Sequence, residues 1–372
     1  MSKHAAGSPT IDADFGDVSV IDCDVHPSYA SAPVQRDIAS RMAEPYASFL
    51  HPDRRGDAAY PDHGWPETVG GTRSGPMLRD LESHADIRDG LLDHGVDAAI
   101  VNQISFVDAV RGTDRAVQEM RAGNEVLIDR YVAGDNDVYG LINLAARVPD
   151  EAAAEIERYG HRDDIVGAVI FPGGEYQKPL GHPDYDPVFA AAEDNDLTMV
   201  YHAVDDMMPA RQAPVLNDAE SFLTMHTLAF PWTAMLTLTS LIVEGVPEKF
   251  PDLNFVILEA GVGWIPYMMG RLNREVSWRK SDAPLLERSP ESYIRDQFWF
   301  GTQPVEELED STHLHETMRA IGAENLLFTS DYPHWDFDNP ASIDDHLSAA
   351  FSAAERRKVL SENASEAFGI DR

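Results

Sequence analysis

The sequence predicts an α/β chain folded as a closed (β/α)8 TIM barrel, and three observations lead there. Short β-branched runs alternate with longer stretches of helical periodicity, eight such runs can be counted, and carboxylates and imidazoles gather where several of them end. Strands are expected at 18–25, 98–103, 138–144, 166–171, 198–202, 254–259, 297–301 and 326–330. Helical patterns separate them at 80–94, 114–133, 149–159, 187–195, 265–278 and 304–321. With 372 residues, 43% of them hydrophobic, the chain can bury the core that a single barrel domain over 18–372 requires.

Three segments depart from a minimal barrel. Residues 1–17 read as a polar leader; they lack the apolar run of a secretory signal, so none is expected. After the first strand comes an insertion, about 30–78, rich in Pro, Gly and aromatics and carrying His51, Arg54, Arg55, Tyr60, His63, Trp65 and Arg73. A loop of that length is either a lid or an ordered surface excursion. Before the sixth strand, 218–248 forms an extra helical segment whose apolar stretch, 228–243, carries Pro231 and falls short of the ~20 residues of a membrane span. It is expected to cover the barrel or to join two copies of the chain as a homodimer. No strand is followed by a glycine-rich phosphate loop, which weakens a nucleotide-binding reading.

Charge narrows the partners. Sixty-four acidic residues against 29 basic ones give a formal charge of −35, the wrong sign for nucleic acid or an anionic membrane. The carboxylates are spread through every segment rather than forming a tail. That is the surface of a salt-adapted cytoplasmic protein, whose self-repulsion concentrated salt screens over roughly 3 Å. The single Cys23 excludes an internal disulfide and suits the same compartment. A small molecule is the expected partner.

Strand ends are where a parallel barrel does its chemistry. The first ends in Ile21-Asp22-Cys23-Asp24-Val25-His26, and regular alternation would put Asp22, Asp24 and His26 on one face. The fifth ends in Tyr201-His202, and the eighth runs Phe328-Thr329-Ser330-Asp331-Tyr332-Pro333-His334-Trp335. Each alone has a bland explanation: a turn cap at Asp22 or Asp24, a core histidine at His202, a helix cap at Asp331. Together, Asp24, His26, His202 and Asp331 occupy equivalent strand-end positions. Mixed nitrogen and oxygen donors of this kind suit one divalent ion, zinc or manganese first and iron as a further candidate.

These motifs carry a resemblance. The 21–26 run, Tyr201-His202, the Gly261-Val262-Gly263-Trp264-Ile265-Pro266-Tyr267 stretch and the Ser330-Asp331-Tyr332-Pro333-His334 run resemble the amidohydrolase-related family of aminocarboxymuconate-semialdehyde and γ-resorcylate decarboxylases. The likeness extends over about 18–370, including 360–364 near the end. It implies a metal-dependent carboxy-lyase acting on a small aromatic or unsaturated acid. A hydrolase of lactones or amides on the same metal is the alternative, and a metal-stabilised barrel without activity is a further one. The sequence departs from the family at two points. Asp24-x-His26 stands where many relatives have His-x-His, which favours a harder ion such as manganese. The sixth strand ends in Glu259-Ala260 where relatives carry a catalytic histidine, and ungapped counting places Ala260 there, a one-residue slip Glu259. Glu259, the charged group at that strand end, is assigned acid/base work together with Asp331. Arg271, His334 and Trp335 are the expected substrate-binding residues; His226 is set aside.

Overall fold

Eight parallel strands follow one another around the barrel of the computed structural model: β1 (Ile21–Val25), β2 (Ala98–Asn102), β3 (Val138–Asn143), β4 (Ile165–Ile170), β5 (Thr198–His202), β6 (Phe255–Leu258), β7 (Phe298–Gly301) and β8 (Leu326–Leu327). The structure describes residues 15, 18–29, 31–50, 78–92, 94–103, 107, 112–132, 137–172, 177–203 and 222–370. The β8–β1 seam is closed by backbone bonds. Cys23 N donates to Phe328 O at 3.0 Å, Asp331 N to Asp24 O at 3.2 Å and His26 N to Tyr332 O at 2.8 Å.

The two faces of the strands build two apolar layers. Ile21, Cys23, Ile100, Leu141, Val200 and Leu258 fill the interior together with Ala364, Ala367 and Phe368. Those last three belong to the C-terminal helix Asn363–Phe368, which plugs the N-terminal mouth; its Ala367 carbonyl accepts from Thr198 Oγ1 and Asn254 Nδ2. The C-terminal mouth is thereby left for the site. The outward residues Ala99, Val101, Met199 and Phe255 pack beneath the helices. Helix Pro149–Tyr159 shows how: proline in its first turn with Asp150 and Glu151, Arg158 in the last turn, and Ala152, Glu155 and Ile156 buried on one stripe. Burying a side chain such as Ile156 stabilises the fold by roughly 1.5–3 kcal/mol.

The insertion, expected to be loop throughout, holds a helix. Ala32–Arg41 begins at Ser31, whose Oγ accepts from Val34 N at 3.5 Å, and buries Val34 and Ile38. It was overlooked because its apolar positions are few beside its polar ones. Residues 51–77, with His51, Arg54, Arg55, Tyr60, His63, Trp65 and Arg73, lie outside the described residues, as does the leader apart from Phe15, which packs edge-on against Phe328. Between β5 and β6 runs helix Phe222–Val243. It is long and apolar enough to cross a membrane, but half of that stretch is buried in this protein, where Ala229, Phe230, Ala234, Leu238 and Leu241 join the core.

Candidate metal centre and adjoining pocket

The site begins with an irregularity in β1. Ile21 and Asp22 pair with Ala98 and Ala99, but Val25 pairs with Val101, so one extra residue is accommodated between Asp22 and Val25. Such a bulge breaks the two-residue alternation. Cys23 stays in the interior layer while Val25 joins the outer one, and Asp24 and His26 turn over the barrel mouth. Asp22 does not share their face, contrary to what regular alternation predicts. Its carboxylate is buried on the outer side, accepting from Ser330 Oγ at 2.5 Å and from Ser330 N and Asp24 N at 3.1 Å each. Burial pushes its carboxyl up to about 7, with these donors pulling the other way. Asp22 ties β1 to the end of β8; it is a structural residue.

Asp24, His26 and His202 converge, and Asp331 reaches the group through His26, which it shares with His334. His26 Nε2 lies 3.3 Å from Asp24 Oδ1 and 2.8 Å from Asp331 Oδ1; His202 Nε2 lies 3.3 Å from Asp24 Oδ2 and 3.3 Å from His26 Nε2. All four are at most 1% exposed. Donor atoms held about 2.0–2.2 Å from a common ion lie roughly 3.0–3.5 Å from each other, so these separations are those of a coordination shell. The hydrogen bonding agrees. His26 Nδ1 is 3.0 Å from the Asn102 carbonyl, an acceptor, which places the proton on Nδ1 and leaves Nε2 with a lone pair. That lone pair faces two carboxylates, and both oxygens of the buried Asp24 have no hydrogen-bond partner. Acceptors turned on acceptors in a dry site are unstable without a cation. The residues therefore fit one divalent ion. The edge-on contacts of the His202 ring with His26, 5.0 Å between centroids, and the tilted one with Phe171, 5.4 Å, fix its orientation.

Glu259 and Asp331 reach the centre by the same device. Both adopt left-handed backbone conformations, φ 53° and 65°, which non-glycine residues rarely do. Leu258 faces the interior, so simple alternation would turn Glu259 outward. The left-handed turn instead brings it back over the mouth, with Oε2 3.1 Å from His202 Nε2 and the side chain 10% exposed. Ala260, which ungapped counting put in the catalytic position, lines the adjoining pocket with a methyl group only. His334 Nδ1 lies 2.5 Å from Asp331 Oδ1, and its ring stacks on His26 at 4.4 Å and 19°. Burial opposes its protonation most strongly, but the carboxylates of Asp331, Asp24 and Asp336 together outweigh it and hold the imidazole up at about 9. In turn, His334 and His26 overcome the burial of Asp331 and keep its carboxyl below the usual range.

Beside the centre opens a pocket of about 300 Å³. Phe230, Pro231 and Trp264 supply apolar walls; Glu259, Gln303, Glu306, His226 and Asp336 supply polar ones. Two expectations need correction here. Arg271 is not a pocket residue. It lies on the solvent side of helix Ile265–Trp278, half exposed and 3.0 Å from Glu275, because Met268, Met269 and Leu272 take the buried stripe. His226, which was set aside, does line the pocket, its Nε2 3.4 Å from Asp336 Oδ2. Trp335 stands 41% exposed at the rim, 5.9 Å from the His226 ring. Gln303 and Glu306 were missed, since neither lies in a strand nor beside a metal-binding motif. The signal that could have found Glu306 is the Gly261-Val262-Gly263 stretch, whose glycines leave room for its carboxylate.

A barrel with a buried group of imidazoles and aspartates fit for a cation at its C-terminal mouth points to a class of metal-dependent enzyme. Residues 21–370 match the amidohydrolase family, and the chain belongs to it. It is 26% identical over 320 residues to γ-resorcylate decarboxylase of Polaromonas sp. strain JS666, covering 84% of this chain and 93% of that one. Two solved structures share the fold at 21% identity. One is 5-carboxyvanillate decarboxylase from Sphingomonas paucimobilis, with a TM-score of 0.70, covering 95% of this chain and 100% of that one. The other is dihydroxybenzoic acid decarboxylase from Polaromonas sp. JS666 with bound manganese and the inhibitor 2-nitroresorcinol, with a TM-score of 0.68, covering 95% and 98%.

Proposed function

We propose that the protein is a non-oxidative decarboxylase that releases carbon dioxide from a small aromatic carboxylic acid with the help of one divalent ion, manganese in preference to zinc or iron. The observation that carries this reading is the placing of the pocket. A slot at the small end of the range for ligand sites, walled by Phe230, Pro231 and Trp264, opens directly onto Glu259 and onto Gln303, which is 3.3 Å from Asp331. The activity of the Polaromonas relative and the manganese in the related structure support the same conclusion. Two aspartates among four donors favour a harder ion.

Asp24, His26, His202 and Asp331 would hold the ion. When bound, it supplies Lewis-acid neutralisation of the charge on the substrate carboxylate and a neighbouring oxygen. The apolar walls orient the ring and exclude water. Glu259 moves a proton from Oε2 to the ring carbon that bears the carboxylate. The bond between that carbon and the carboxylate then breaks, its electron pair restores the aromatic ring, and carbon dioxide leaves; Glu259 recovers a proton from solvent. Asp331 keeps its charge through its bond with His334 and would help to hold the ion. Manganese-replete protein is expected to release carbon dioxide from ortho-hydroxybenzoates and to stop when a chelator removes the metal. Hydrolysis of lactones or esters with no carbon dioxide from any aromatic acid would overturn the reading.

We further propose a cytoplasmic homodimer adapted to concentrated salt. The −35 charge supports the salt adaptation, and the exposed Leu223, Leu228 and Trp232 of helix Phe222–Val243 support the dimer. The melting temperature is expected to rise between dilute buffer and multimolar potassium chloride, with sedimentation reporting a dimer in the latter. A melting temperature independent of salt would contradict the adaptation, and a monomer at all salt concentrations the dimer.

A further inference from the structure

We propose that His315 and His346 form a second divalent-metal site, on helices outside the barrel, which takes a borderline transition ion such as zinc, nickel or copper rather than manganese. It shares no residue with the centre or with the pocket beside it.

The two histidines belong to helices Thr312–Ile321 and Pro340–Ala350, which follow β7 and β8. The helices lie side by side in the same direction: His315 meets His346, and Arg319, one turn further on, meets the end of the second helix. Arg319 Nε donates to Ala350 O at 2.7 Å, and a terminal nitrogen of its guanidinium to Ala349 O at 2.7 Å. This clamp fixes the spacing of the two helices and so of the two rings. His315 Nε2 lies 3.2 Å from His346 Nδ1, with ring centroids 5.5 Å apart and planes at 55°. Imidazole nitrogens bound to one ion at about 2.0–2.1 Å stand roughly 3.0–3.4 Å from each other, so the pair already has the spacing of two ligands.

Between the rings alone the contact is an N–H···N hydrogen bond. Binding needs only that the shared proton pass, through water, to the other nitrogen of its own ring, which frees both facing lone pairs. Both rings are partly exposed, so water completes the coordination. Burial, His346 and Arg319 hold the His315 imidazole below its usual value while Asp310 pulls the other way, so protons compete little for it at neutral pH. The chain's charge of −35 concentrates cations at its surface. A site of imidazoles alone disfavours manganese, which binds weakly to such ligands and prefers oxygen. Two protein ligands hold an ion more loosely than the set at the centre, so this site fills only where zinc is supplied. A bound ion adds a second fastening beside Arg319. The connections leading into the same two helices already meet, Val305 N donating to Asp338 Oδ2 at 2.6 Å.

The test is metal content per chain after equilibrium dialysis of the full-length, manganese-loaded protein against zinc chloride. Wild type is compared with the double variant His315→Ala/His346→Ala and with His346→Gln, whose amide can still bond His315 and so guards against a fold defect. Zinc also exchanges into the centre, so total ions are counted. The wild type is expected to hold one ion more per chain than either variant in zinc, and the same number in manganese alone. With copper(II) in place of zinc, the wild type should show an additional electron paramagnetic resonance signal split by two nitrogens, absent from both variants. Equal zinc content in wild type and variants of unchanged circular dichroism would overturn the proposal, leaving the pair a hydrogen bond and no more. Zinc should also raise the melting temperature of the wild type further than that of the variants; an extra ion with no such difference would contradict the fastening.

Discussion

His202→Ala is expected to lose the divalent ion and, with it, catalysis by on the order of 10³-fold or more, the equivalent of several kcal/mol of charge stabilisation. His202 Nε2 is 3.3 Å from Asp24, 3.3 Å from His26 and 3.1 Å from Glu259, so it stands among the other donors rather than at the edge of the set. Removing it leaves carboxylates facing one another across a dry cavity. Metal content measured on the dialysed variant, with circular dichroism to establish that the barrel persists, checks the result. Full turnover in the variant would remove His202 from the mechanism.

Glu259→Gln carries the second large effect. The amide preserves the size of the side chain and a contact with the centre but cannot pass a proton. The rate should fall by about 10²–10⁴-fold while the metal content stays at the wild-type level. A steady-state comparison of kcat and KM separates this from a binding defect: kcat should fall, with KM little changed. Loss of the ion together with activity would make Glu259 a fifth ligand instead, and unchanged kcat would end its acid/base role.

The barrel was legible because its eight strands read as β-branched runs in chain order, and the meeting of Asp24, His26 and His202 was legible because each closes such a run. What the sequence concealed lies where backbone geometry departs from regularity. Alternation grouped Asp22 with Asp24 and His26, and the bulge in β1 separates them. The choice between Glu259 and Ala260 turned on a left-handed residue, φ 53°, which no alternation rule anticipates at a glutamate. Arg271 looked like a carboxylate clamp because a motif carried it; the burial of Met268 and Leu272 on the same helix turns it to solvent. The pocket wall was hidden for a different reason. Gln303, Glu306 and His226 come from connections distant in sequence, and only the closed barrel brings them to one cavity.

Metal analysis of protein purified without chelator, followed by crystallography with anomalous scattering at the manganese edge, addresses the centre most directly. The account predicts one ion per chain, ligated by Asp24, His26, His202 and Asp331, with Glu259 against it and the pocket beyond. A protein that takes up no divalent ion, or one whose ion binds elsewhere while these four side chains remain bonded only to each other, would contradict it.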